Sequence, residues 1–232
     1  MLDDMSTLRG AVDDYRAAAV AAGIAWVGDG DRAGDLSPDE LCRVFGVGRI
    51  PEQALWLVTD GLPYGRILPD GAHPMRWNDV DELLDSLSFA VGIPFPWRQQ
   101  LPLFSFDHLV FTFVLAEAYE GEIWRYQIDA DDWNPMRASP GLVALLTEWT
   151  KGFGAGVYQR SEYDDWLHAD DDVLRSRGLD PFAFPVHVSQ YPDDTAIRAR
   201  QRECGVDVGV ADDPDRQADL LDEIDAVRAS LR

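Results

Sequence analysis

The chain has 232 residues, of which 46% are apolar and 11% aromatic, enough to bury a core of domain size and too much for a largely disordered segment. Its 42 acidic and 20 basic residues leave a formal charge of -22, a field that repels phosphate backbones and anionic membranes and attracts a basic protein. The same acidity also serves solubility, and composition alone does not separate these two uses.

Residues 6–22 read as a first helix, because Leu8, Val12, Tyr15, Ala19 and Ala22 recur at steps of three and four before Gly23. After the loop GDGDRAGD, Ser37-Pro38-Asp39-Glu40 supplies an N-cap, a first-turn proline and the glutamate of a capping box. Leu41, Cys42 and Phe45 should then face inward. Pro51 opens another helix through Ala54, Leu55, Trp56 and Val58 to Asp60-Gly61, and Gly65 to Leu68 is expected to be the first strand. Asn78 is placed to cap a helix whose stripe is Val80, Leu83, Leu84 and Leu87.

From Leu101 the sequence turns aromatic and β-branched, as strands prefer. Leu103 to Phe106 and Leu109 to Leu115 are followed by a turn at Glu120-Gly121. In Glu122 to Ile128, Trp124, Tyr126 and Ile128 alternate with Ile123, Arg125 and Gln127, so a hairpin is expected. Ser139-Pro140 begins a helix that carries Leu142, Leu145, Leu146, Trp149 and Phe153 and stops at Gly152 and Gly154. Past Tyr158 the chain becomes charged and loop-like until Pro214 to Leu231, a helix whose stripe of Leu220, Ile224, Val227 and Leu231 must dock.

Sites of catalysis or metal binding are not apparent. His73, His108, His168 and His187 lack helical ligand spacing, and Asp170-Asp171-Asp172 lacks the frame of a calcium loop, so it reads as a solvated acidic loop. Gly46-Val47-Gly48 and Gly152 to Gly156 carry no phosphate-loop lysine and read as helix stops; Lys151 is the sole lysine of the chain. No nucleophile elbow is present. Cys42 and Cys204 are too few and too far apart for a zinc or disulfide framework. No cofactor, metal or enzymatic activity is expected. The opening MLDDMSTLRG lacks the character of a secretory signal, and no run approaches the ~18–20 apolar residues of a membrane span, so a cytoplasmic place is expected.

Trp124 and Trp149 fall on inward faces, whereas Trp133 and Trp166 follow Asp131-Asp132 and Asp164-Asp165. A tryptophan ringed by carboxylates suits protein recognition, though each ring could equally fold back onto the core.

The order helix, WLVTDG, GRILP, WNDVDELL, LPLFSF, strand, GEIWRY, helix resembles the SUKH superfamily over residues 37–158. The chain departs from that pattern at Asp60-Gly61, where asparagine-glycine is usual, and in its long tail. The resemblance implies an α+β fold, a mainly antiparallel sheet with helices packed on it, here extended by a C-terminal helical segment, 159–232, within a single domain. It also implies a bacterial immunity protein that occludes a cognate toxin, a nuclease or a deaminase. On that reading Asp131, Asp132, Trp133, Asp164, Asp165 and Trp166 are the contact candidates, and the partner is a basic protein. A regulatory scaffold of the same fold is the alternative.

Overall fold

A computed structural model of the chain describes residues 2–27, 35–106, 109–127, 135–160, 167–185 and 194–232. Helix α1 (Met5–Ala21) begins where Asp4 accepts the Ser6 and Thr7 amides, and it buries Leu8, Val12, Tyr15 and Ala19. Ala22, expected inside, is its exposed C-cap. Helix α2 (Pro38–Phe45) has the reciprocal box: Ser37 Oγ accepts the Glu40 amide at 3.3 Å, and the Ser37 amide donates to Glu40 Oε2 at 2.8 Å. Leu41, Val44 and Phe45 are buried, and Cys42 is half-buried.

Helix α3 (Glu52–Trp56) continues into a π-helical turn at Leu57–Gly61. The strand expected at Gly65 to Leu68 does not form, because its backbone is engaged elsewhere. The Ile67 amide donates to Gly65 O at 2.9 Å, and the Ile67 carbonyl accepts the Tyr15 hydroxyl at 2.8 Å. The first strand is instead β1 (His73–Pro74). Helix α4 (Val80–Asp85) is capped by Asp79 rather than Asn78, since Asp79 Oδ1 accepts the Asp81 and Glu82 amides at 2.9 and 3.3 Å.

Strands β1, β2 (Gln100–Phe106), β3 (Leu109–Val114), β4 (Ile123–Gln127) and β5 (Met136–Ser139) form one antiparallel sheet in chain order. The hairpin around Glu120-Gly121 is therefore its β3–β4 pair, with Val110 opposite Tyr126 and Thr112 opposite Trp124. Helix α5 (Leu142–Ala155) follows. Ser139 closes β5 instead of opening this helix; Asp3 Oδ2, from the N-terminal segment, accepts the Val143 amide at 3.1 Å. The stop is Gly156, left-handed at φ 70°, and not Gly152 or Gly154. Gly152 is buried within the helix, where a Cβ would meet the Tyr158 ring at 2.9 Å.

Beyond it, β6 (Tyr158–Arg160) pairs with β7 (Leu167–Ala169). Then come α6 (Asp171–Ser176), α7 (Asp194–Glu203), α8 (Val208–Ala211) and α9 (Pro214–Leu231). The stretch read as loop is thus partly helical: Asp170 accepts the Val173 amide at 3.1 Å and caps α6. The architecture is α+β, and among the described residues no helix is long and apolar enough to cross a membrane.

The sheet is covered on both faces, which is why every residue of β3 and β4 is buried, Arg125 and Gln127 included. On one face α1 and α5 pack through Trp149, which lies against Tyr15, Phe104 and Phe111 at ring separations of 6.1, 5.6 and 6.1 Å. On the other, Phe95 meets Trp124 edge-on at 5.1 Å, and the Asp207 amide at the head of α8 donates to Gly92 O at 2.8 Å.

Gly92 has φ 74°, and a Cβ there would lie 2.6 Å from Asp207 O and 2.9 Å from Ala211 N. Both obstacles are backbone, so Gly92→Ala is expected to destabilise the fold by about 2–4 kcal/mol in urea unfolding. An unchanged midpoint would show that α8 does not sit this close. The Ser37 hydroxyl, and after it the Ser37 amide, holds the Glu40 carboxyl below its usual range. A depressed carboxylate stabilises above its unfolded pKa and loses that effect as pH falls through the folded value. The stability deficit of Ser37→Ala should therefore be full at neutral pH and shrink as acid titrates Glu40, as read by urea unfolding at stepped pH.

Candidate protein-binding face

The segment between α4 and β2 presents Trp97 from a rigid base. Gln100 is buried at the head of β2; its Nε2 donates to Trp97 O at 2.7 Å, and its Oε1 accepts the Thr112 hydroxyl at 2.7 Å. These bonds fix the Trp97 backbone. The half-buried indole then reaches across to α9, where its Nε1 donates to Glu223 Oε2 at 2.7 Å. Next to it, Arg98 Nε and Nη2 donate to Val44 O and Arg43 O at 2.5 Å each, closing the carbonyl end of α2. Burial lowers the Arg98 pKa, and its charge is spent on these carbonyls.

Alongside α2, a cleft of about 580 Å³ opens between Gly46 to Arg49, Gln99, Glu117 and Glu120. Gly46 closes α2 at φ 64° and turns the chain along this rim. Arg49 Nη2 meets Glu120 Oε1 at 2.8 Å. At the far end of α9, Arg228 stands among Asp81, Asp85 and Asp225, with its Nε 2.8 Å from Asp81 Oδ1. Burial acts against the Arg228 charge, but Asp85, Asp225 and Asp81 outweigh it and raise its pKa. Arg232 adds a 3.4 Å contact to Asp81, and a hollow of about 200 Å³ lies between Val80, Leu231 and these charges.

Glu117 and Glu120, then Trp97 with Glu223, then the aspartates of α4 and α9 are the carboxylates of this face, Glu120 paired with Arg49 and the aspartates with Arg228. Such a face can attract a basic protein at long range and receive side chains at short range.

Asp131, Asp132 and Trp133 belong to the link between β4 and β5, and Asp164, Asp165 and Trp166 to the link between β6 and β7; all six lie outside the described residues. His108 and His187 lie outside them too. Among the described residues no group of three or more His, Cys, Asp or Glu side chains is arranged to hold a metal ion. Cys42 and Cys204 are free thiols, and burial raises the pKa of Cys204. Trp97 escaped the sequence reading; the available signal was a tryptophan-arginine pair beside Pro94 and Pro96, between two elements. The chain matches no protein-family model, no curated protein and no solved structure.

Arg228→Gln leaves Asp81, Asp85 and Asp225 facing one another across α4 and α9. It should lower the urea midpoint at low ionic strength and lower it less in high salt. A deficit that ignores salt would mean that Arg228 acts through packing.

Proposed function

We propose that this protein is a non-enzymatic immunity protein of SUKH type that binds a basic toxin, a nuclease or a deaminase, and covers its active site. The observation that carries this reading is the acidic face around Trp97, bordered by Glu117, Glu120 and Glu223 and continued by Asp81, Asp85 and Asp225. Net charge of -22 steers a basic enzyme toward the protein, and a tryptophan with concave neighbours supplies the buried anchor that sets complex lifetime. A nuclease binds phosphate through cationic groups, so a carboxylate surface competes for the same groups without being a substrate. Asp131 to Trp133 and Asp164 to Trp166 are proposed as further contacts. The encounter takes place in the cytoplasm.

The test is capture of partners at stepped salt, followed by co-expression. The expected partner is basic, binds one to one, is toxic when expressed alone and is silenced by this chain. Association should slow as salt rises, and Trp97→Ala should weaken the complex by about 2 kcal/mol or more. Alanine at Asp131, Asp132, Trp133, Asp164, Asp165 and Trp166 together should weaken it as well; unchanged affinity would remove those six from the interface. A set of ordinary cellular proteins, none of them toxic, would replace this reading with a regulatory scaffold.

A further inference from the structure

Among the described residues, half-buried Arg76 is set against an aromatic ring instead of a carboxylate. The Arg76 guanidinium lies over the Tyr64 ring, 3.8 Å from its centroid. The ring also receives His73 of β1 edge-on at 5.8 Å. Arg76 Nε is fully buried, and neither it nor the Nη groups donate to a protein acceptor; the Nη groups are the part of the guanidinium that solvent reaches. The stack on Tyr64 sets the plane of the guanidinium, with its outer edge toward solvent. By contrast, Arg49, Arg137, Arg175, Arg198, Arg200 and Arg228 are all paired with carboxylates.

Burial depresses the pKa of His73, and the charges of Arg66 and Arg76 depress it further, so all three groups press in one direction. A planar guanidinium stacked on an aromatic ring, with two parallel N–H groups free, matches the fork by which arginine holds an oxyanion. We propose that Arg76, positioned by Tyr64 and flanked by His73, is a binding site for a compact oxyanion that presents two coplanar oxygens, a phosphate or a carboxylate. This site does not depend on the toxin reading. It would take a small anionic ligand.

The test is NMR titration of the full chain with inorganic phosphate and, separately, with acetate, following the imidazole signals, with His73→Gln used to assign the His73 resonance. The expected result is a saturable shift of the His73 signals with at least one anion; which one saturates at lower concentration identifies phosphate or carboxylate as the preferred group. Arg76→Gln should weaken that binding at least tenfold. Arg76→Lys, which keeps the charge without the fork, should also weaken it, whereas Arg202→Gln, changing an exposed arginine on α7, should leave it unchanged. Linear, unsaturable shifts with both anions in the wild-type protein would overturn the proposal. So would saturable binding that survives Arg76→Gln. The wild-type titration stands whether or not either Arg76 variant folds.

Discussion

The structure turns on a charge placed inside its sheet. Arg125 in β4 is 1% exposed, and a guanidinium at that depth is tolerable only if its N–H groups find acceptors. Its Nη1 donates to Phe184 O at 2.7 Å and lies 3.4 Å from Phe182 O, while Trp149 Nε1 donates to the intervening Ala183 O at 2.7 Å. Three consecutive carbonyls are thereby satisfied by two buried side chains, one from the sheet and one from α5. The segment that bears them, Phe182 to Phe184, is buried as a result. Each of these partners would be costly to leave unpaired, so strand, helix and C-terminal chain specify one another.

That constraint carries the chain around an edge of the sheet. The 3₁₀ turn at Pro181–Ala183 and helix α7 both pack against β5, the last strand, so its outer side is not left open to pairing with another molecule. Arg200 of α7 lies over Phe182 at 5.4 Å and pairs with Asp180, and buried Gln201 reaches Pro135 O at 3.4 Å. From there α8 meets Gly92 on the opposite face, and Gln217 of α9 donates to Ser88 O. The other edge, β1, is two residues long and contains Pro74, which limits pairing by another route. The acidic face is a product of this path. Glu223 meets Trp97, and Arg228 meets Asp81 and Asp85, only because α9 is returned to α4.

Local signals in the sequence were sufficient for several elements whose cause is local, though the cap of α4 and the stop of α5 were misplaced and the cap of α6 was read as loop. Ser37 and Glu40 form their box within four residues, the stripes of α1 and α9 declare their buried sides, and Trp124 and Trp149 are interior as their periodicity implies. Where the cause is distant, local reading failed. Nothing near Gly65 to Leu68 tells that the Ile67 carbonyl is claimed by Tyr15. Nothing near Val143 tells that its cap is Asp3. The residues of β5, Met-Arg-Ala-Ser, carry no strand preference, and they pair because β4 offers an edge. The charged stretch after Tyr158 hid α6 and α7 because their acids and arginines serve as caps and ion pairs instead of marking a solvated loop. The acidic face was legible in composition as an excess of carboxylates, but its place required the meeting of α4, α9 and Trp97.

If the Arg125 and Trp149 bonds bind the C-terminal helices to the sheet, α7 and α9 open together with it. Native-state hydrogen exchange measures this directly. Amides of α7 and α9 should open with the same free energy as those of β3 and β4, and Arg125→Met should lower all of them together. Exchange of α7 and α9 at a free energy well below that of the sheet, unaffected by Arg125→Met, would contradict the account.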